Sequence, residues 1–402
     1  MNKKISLGKS LAIVLIAITV TVAITMSISM KVYNNLIKEL PNRVSMYSSI
    51  SEMDELVRKE FYGDFDTSKL NSSIAHGYIK GLGDESSFYM TADEYIEYYN
   101  RESGRISGIG VSHTLNKDTG YIYITGVAPN SPAEAAGLKV GDEIRMIGED
   151  KVTAENYETI SQNLIGDKMS TINITYKRDG EDSKKISVVK GYSIATVSHR
   201  MIGSTAIVTI NAFYGNTPAQ FKEIMGEVKK SGAKGIIFDV RNCSQGSIKN
   251  AVSVLDILVP LATDGTKAIA TAVNQNGKVI KTFPSDAEDI IIPSVVLIND
   301  KTAGAAELFA CDLRDFGKAE LVGTTTKGIG TMQQVFQLSD GSAIVLSVAQ
   351  ILPYKSDTYN KVGVKPDYEI KLTPKQETAI GVMEDSDDPQ IQKAFSLLPQ
   401  SE

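Results

Sequence analysis

From Leu11 to Met30 the chain runs for 20 residues without a charged side chain. A helix rises about 1.5 Å per residue, so such a run spans about 30 Å, the hydrocarbon thickness of a bilayer. It is rich in Ile, Val, Leu and Ala, with Thr and Ser that a membrane helix tolerates, and it predicts a transmembrane helix. A cleaved signal peptide is the alternative, with Ser27-Ile28-Ser29 as a small-x-small site. Lys3, Lys4 and Lys9 precede the run, and Lys31, Lys38 and Arg43 come after it. Counting basic residues is nearly a tie. The short basic start favours a cytoplasmic N-terminus, which places the bulk of a single-pass protein outside the cell membrane. Cleavage would make it a secreted protein instead.

The remaining composition narrows the chemistry. With 42 Lys plus Arg against 48 Asp plus Glu, the net charge is −6 and no basic block occurs, which excludes nucleic acid as an expected partner. Three dispersed His and two Cys offer no zinc spacing, so neither a metal nor another cofactor is expected. Cys243 and Cys311 form a disulfide only if their Cα atoms come within about 7 Å.

Hydrophobic periodicity divides the chain beyond the anchor. Residues 32–103 read as helical: Met53, Leu56, Val57 and Phe61 share a face, and a second helix is expected over Ser87 to Tyr99 with a start signal at Thr91-Ala92-Asp93-Glu94. Residues 104–192 alternate as β-strands, with a short helix opened by Pro132 and ended by Gly137. From 193 to 372, continuous apolar runs such as Thr205 to Ile210, Lys234 to Val240 and Ser294 to Ile298 interleave with helical patterns. That predicts an α/β sheet covered on both faces. Residues 373–402 form a polar tail ending in a helical set, Ile391 to Leu398. The fold class is therefore α/β multidomain, behind an anchor spanning residues 1–31.

Two resemblances make this specific. Ser107 to Val111 ("SGIGV") and Gly126 to Val152 ("GVAPNSPAEAAGLKVGDEIRMIGEDKV") resemble a PDZ domain of the bacterial protease type. A glycine turn ahead of a strand exposes N–H groups that can capture a C-terminal carboxylate, and the strand edge can pair with an extended peptide. The expected peptide-binding residues are Ser107, Gly108, Ile109, Gly110 and Val111. Gly137 to Asp142 reads as structural.

Beyond it the chain resembles the carboxyl-terminal processing peptidases of family S41, which implies a ClpP/crotonase-like core. Leu82 to Tyr95 resembles the segment ahead of that family's PDZ domain. "DVRNCSQGS" (Asp239 to Ser247) sits where the family has D-L-R-x-N-P-G-G. "VVLINDKTAGAAE" (Val295 to Glu307) and "GTTTKGIGTMQ" (Gly323 to Gln333) sit where it has its serine and lysine motifs. "GVKPD" (Gly363 to Asp367) and "DDPQIQKAFSLL" (Asp387 to Leu398) match its closing motifs. The resemblance implies a Ser-Lys dyad that hydrolyses peptide bonds near protein C-termini. Carried across residue by residue, the nucleophile position is Gly304 and the lysine position is Ile329. Neither can attack a carbonyl or hold a proton. Asp315 and Gln333 match auxiliary positions. The oxyanion loop falls on Ser244, Gln245 and Gly246, with a side chain at 245 that would crowd the donors.

The expectation is a pseudopeptidase that binds peptides or protein C-termini. Two alternatives stand beside it. Thr302 and Lys327, each two residues earlier, preserve the spacing and would share a face on extended strands, giving a displaced dyad. A purely structural assembly partner, as a homodimer or with an active family relative, is the other. Cys243 is a stray candidate nucleophile, and Ser231 to Lys234 matches S-x-x-K by chance in a helix-to-strand connection.

Overall fold

The computed structural model describes residues 7–165, 170–259, 268–285 and 292–399, with the side chains of 7–13 and 32–44 outside the description. Lys3 and Lys4 lie outside the described residues, as do the side chains of Lys9, Lys38 and Arg43. The chain divides into two compact units, Met1–Asn71 and Ser72–Glu402.

The first unit is dominated by α1 (Leu7–Glu60). Within it, Val14–Lys31 is long and apolar enough to cross a membrane, with a mean hydropathy of 1.9 and no residue covered by protein. The helix does not stop at residue 31; it continues for about eight more turns. The division between the units falls inside α2 (Thr67–Lys80).

The second unit continues into β1 (Phe88–Met90) and α3 (Ala92–Glu102). The expected helix over Ser87 to Tyr99 is corrected here: its first residues are a strand paired with a distant partner. The helix starts where its signal stands, with Thr91 and Glu94 forming a reciprocal cap.

The next elements are β2 (Arg105–Ile106), β3 (Val111–Leu115), β4 (Ile122–Val127), α4 (Pro132–Ala135), β5 (Glu143–Ile147), β6 (Asp150–Lys151), α5 (Tyr157–Ser161), β7 (Thr171–Lys177), β8 (Lys184–Val189) and β9 (Tyr192–Ser193). One sheet runs β3-β4-β5-β7-β8, with β3 on its edge. Ile109, Ile122, Ile124, Ile144 and Ile174 fill its core. β2 pairs with β9, so the module leaves and re-enters the chain at one point. Asn216 staples that point: its Nδ2 donates to the carbonyls of Gly104 (3.0 Å) and Ile194 (2.8 Å) and to Ser193 Oγ (2.9 Å).

The core comprises β10 (Val197–Ile202), β11 (Thr205–Ile210), α6 (Thr217–Lys230), β12 (Gly235–Asp239), α7 (Ile248–Leu255), β13 (Ala268–Val273), β14 (Val279–Pro284), β15 (Ser294–Ile298), α8 (Ala305–Asp315), β16 (Ala319–Gly323), β17 (Thr331–Gln337), β18 (Ala343–Leu352), β19 (Tyr368–Glu369), α9 (Pro374–Thr378) and α10 (Pro389–Leu397). The central sheet runs β10-β11-β12-β15-β16-β19, parallel except for the first pair. Side chains on a strand alternate between faces. Ala206, Val208, Ile236 and Phe238 accordingly pack with Phe221, Leu255 and Phe309 of α6, α7 and α8 on one face. Ile207, Ile237, Val295 and Leu297 meet Ile391, Ala394 and Leu398 at α10 on the other. Both faces are thus dry, as the continuous apolar runs require. A second, antiparallel sheet runs β1-β18-β13-β14, and β17 pairs with β18.

Arg241 joins the two layers just after β12. Its buried guanidinium donates to Asp239 (2.7 and 2.9 Å), Asp388 (2.7 Å) and Gln390 (2.9 Å), and Asp388 in turn caps α10. Arg241→Met keeps the volume but strands two buried carboxylates, so it should lower the unfolding free energy by about 3–5 kcal/mol. Urea denaturation followed by circular dichroism measures this; an unchanged midpoint would refute the role.

Candidate functional site

The site grows from the turn between β15 and α8. Asn299 and Asn242 exchange hydrogen bonds of 2.9 Å, backbone N–H to side chain one way and amide to amide the other. Thr302 is buried, and its hydroxyl donates to the Val240 carbonyl at 2.9 Å while accepting the Asn299 N–H at 3.0 Å. The Ala303 N–H reaches the Cys243 carbonyl at 2.9 Å. These bonds press the 241–247 loop against the entry to α8.

Gly304 is the helix N-cap, with φ 62° and ψ −111°, a conformation that residues other than glycine rarely adopt. A Cβ placed there would meet nothing within 4 Å. The position is therefore open on its outer side, and only the backbone opposes a larger residue.

Glu307, three residues on, is fully buried in the first turn of α8. Its carboxylate accepts N–H groups from Gly304 (2.9 Å), Gly328 (2.6 Å) and Ile329 (2.7 Å), and the Thr326 hydroxyl. A negative charge at a helix N-terminus is favoured by the helix dipole. Here it also binds the two sequence motifs together, with Gly304 and Ile329 hydrogen-bonded to the same oxygen.

Gly304 and Ile329 line one groove of about 740 Å³, along with Ser244, Gln245, Gly246, Thr331 and Gln333. Gly246 is required where it stands: at φ 105° a Cβ would lie 2.2 Å from the Phe213 carbonyl oxygen. Gln245 uses its own carbonyl to accept the Phe213 N–H at 2.9 Å, and its side chain is exposed. Gln333 Nε2 donates to Thr331 Oγ1 at 2.8 Å.

Several sequence-derived candidates fall elsewhere. The displaced Thr302–Lys327 dyad is not assembled. Thr302 Oγ1 is consumed by the backbone, and Lys327 Nζ is half-exposed beside Glu85 at 4.0 Å. Alternation along a strand does not apply, because residue 302 is in a turn. Asp315, at the far end of α8, accepts the N–H groups of Lys355 (3.0 Å) and Ser356 (2.6 Å) and holds that loop. Cys243 and Cys311 are free, buried thiols, and burial pushes both up to about 12. A thiol so shielded is a poor nucleophile.

In the β3 module a second groove of about 400 Å³ is lined by Ser107 to His113, Leu164 and Ile165. Ile109 is a core residue, 1% exposed, and its N–H already donates to the Leu164 carbonyl at 3.1 Å. Tyr157 of α5 meets His113 Nδ1 of β3 at 3.1 Å. Asp142 accepts Arg178 Nε at 2.7 Å and the Lys139 N–H at 2.8 Å, holding the 137–142 turn.

One buried group is not evident from sequence. Asp312 of α8 is completely buried, with Oδ1 accepting the Tyr354 N–H at 2.9 Å and Oδ2 unpartnered among the described residues. Burial holds its pKa well above the usual carboxylate range, with Asp315 adding to the effect.

Residues 204–370 match peptidase family S41, and residues 107–188 match the PDZ domain. A probable CtpA-like serine protease of Staphylococcus epidermidis is 28% identical over 81% of this chain, which spans 65% of that relative's length. The carboxy-terminal processing protease CtpA of Bacillus subtilis is 27% identical over 82% of this chain and 70% of its own. The photosystem II D1 C-terminal processing protease overlays on 80% of this chain and 86% of its own, with 23% identity and a TM-score of 0.46. The chain therefore combines a PDZ domain with an S41-type core, and its sequence relatives support the carboxyl-terminal processing peptidase family.

Two substitutions probe these buried carboxyls. Glu307→Ala orphans three backbone N–H groups, so it should cost at least about 3 kcal/mol. Chemical denaturation checks this, and a loss within about 0.5 kcal/mol would refute the clamp. For Asp312 the folded pKa is raised, so its favourable contribution is complete below the unfolded value near about 4 and is lost as pH rises. Asp312→Asn should leave Tm unchanged near pH ~4 and raise it increasingly toward pH ~8. A Tm difference independent of pH would exclude this account.

Proposed function

We propose that the chain is a membrane-tethered pseudopeptidase of the S41 type, which holds polypeptide segments without cutting them. One observation carries the reading: the two positions that would bear nucleophile and base, Gly304 and Ile329, share one groove and one carboxylate clamp, and neither has a reactive group. Loss of the nucleophile in a serine hydrolase costs on the order of 10⁶ in turnover, and loss of its base adds little more. The rest of the groove persists, which favours binding over loss of all function. The exposed edge of β3 and the Ser107 to Val111 turn supply a second place for a peptide, in the manner of β-augmentation.

The uncovered apolar window of α1 supports tethering. In the proposed topology the short basic start faces the cytoplasm and the PDZ and S41-type portions lie outside. The bound polypeptide is a substrate or regulated partner of an active relative, or a second copy of this chain.

The full-length protein, incubated with an unfolded protein and with peptides bearing free C-termini, should release no fragments. Reproducible cleavage abolished by Thr302→Ala or Lys327→Ala would sink the reading. The double substitution Gly304→Ser with Ile329→Lys should give measurable cleavage at a reduced level: a Cβ at 304 meets open space, but at φ 62° the serine carries backbone strain. Mass spectrometry of the products reads both results.

A further inference from the structure

Glu102 ends α3 and lines the same groove as Gly304 and Ile329. It is half-buried, and its carboxylate has no hydrogen-bond or ion-pair partner among the described residues. Its position is electrostatically unusual. The last turn of a helix carries the negative end of the dipole, where an acidic side chain is disfavoured. A carboxylate and a helix C-terminus thus bring their negative character to one place.

The surroundings do not neutralise it. Arg101 and Tyr98 on α3 and Tyr214 beyond β11 are its titratable neighbours. Along the groove stand Lys249 of α7, Lys281 of β14 and Glu85. Arg101 is exposed, and Lys281 lies over the Phe283 ring at 4.6 Å. Burial pushes the Glu102 carboxyl up to about 7, with Arg101 opposing the shift. A group in that state gains most from a cation brought to it.

The walls say what carries the cation. Tyr95, Tyr98 and Tyr99, spaced three and four apart on α3, present aromatic surface to the groove, and such faces attract ammonium and guanidinium groups. Thr331, Met332, Gln333 and Val335 of β17 line it as well. Among the described strands β17 pairs only with β18, so its other edge is free to add an extended chain.

We infer that the groove over the lost dyad selects an extended polypeptide segment carrying an arginine or lysine side chain, with Glu102 as its counter-ion and the α3 tyrosines as its flanks. This rests on the pseudopeptidase reading and specifies the partner of that site. The guanidinium or ammonium pairs with the ionised carboxylate, so selectivity for the cation is strongest where Glu102 is deprotonated and weakens as pH falls below its pKa.

The test uses the full-length chain in detergent micelles and two fluorescein-labelled dodecapeptides of alanine, valine and threonine. One carries an internal arginine, the other the neutral isostere citrulline. Both are amidated, which removes the carboxylate that the PDZ loop would capture. At pH ~8 the arginine peptide should bind about 10-fold tighter by polarisation, and the ratio should fall to within about 2-fold at pH ~5.5. Glu102→Gln should abolish the preference, bringing the two peptides to within about 2-fold of each other at pH ~8. Equal affinities in the unsubstituted chain at pH ~8, or a preference that survives Glu102→Gln, overturn the inference. If only a free-carboxylate version binds, this inference falls while the PDZ half of the functional reading stands. If no peptide binds in any form, both fall.

Discussion

The carboxylate of Glu307 is the interaction on which the site depends. It sits in the first turn of α8, fully buried, and accepts hydrogen bonds from Gly304, Gly328 and Ile329 and from the Thr326 hydroxyl. A buried charge is costly unless its acceptor capacity is filled. Here the fill comes mostly from backbone, so it is indifferent to which side chain stands at 329, while at 304 only the positive φ restricts the choice. The clamp can therefore outlive the chemistry it would position. That is a physical reason for the groove to stand in the proposed pseudopeptidase, with glycine at 304 and isoleucine at 329.

The same logic holds around the groove. Gly246 is required because the Phe213 carbonyl leaves no room for a Cβ. The Asn242–Asn299 exchange and the Arg241 network fix the loop from behind. Each is a backbone-directed or buried polar device, and such devices are expensive to lose one partner at a time. Side chains that face the groove carry no such obligation. Ile329, Gln245 and Glu102 line the groove without such an obligation, and the proposed selectivity falls to them.

Much of the architecture is legible in the residues. Thr205 to Ile210 and Ser294 to Ile298 are continuous apolar runs, and each is a strand buried on both faces at those bounds. Thr91 to Glu94 marks a helix start because a reciprocal cap is a local device. Ser87 to Met90 reads as helix, yet Phe88–Met90 is a strand. It has only three residues and exists because β18 lies alongside. The Thr302–Lys327 pairing also fails, since it assumes strand geometry in a segment that is a turn. Asp312 and Glu102 carry no signature in the sequence, because nothing local distinguishes a buried carboxyl from a solvated one.

The sequence by itself determined that an uncharged run of membrane length precedes two recognisable domains. It also determined that glycine and isoleucine stand at 304 and 329, the positions proposed for nucleophile and base, because the identity of a residue needs no neighbours. Only the tertiary structure decided that those positions face one groove, that Thr302 is spent on the backbone, and that Glu102 lines the same groove without a partner among the described residues. These are properties of burial and distance between segments far apart in the chain. Long-range packing sets them, and no local pattern encodes them.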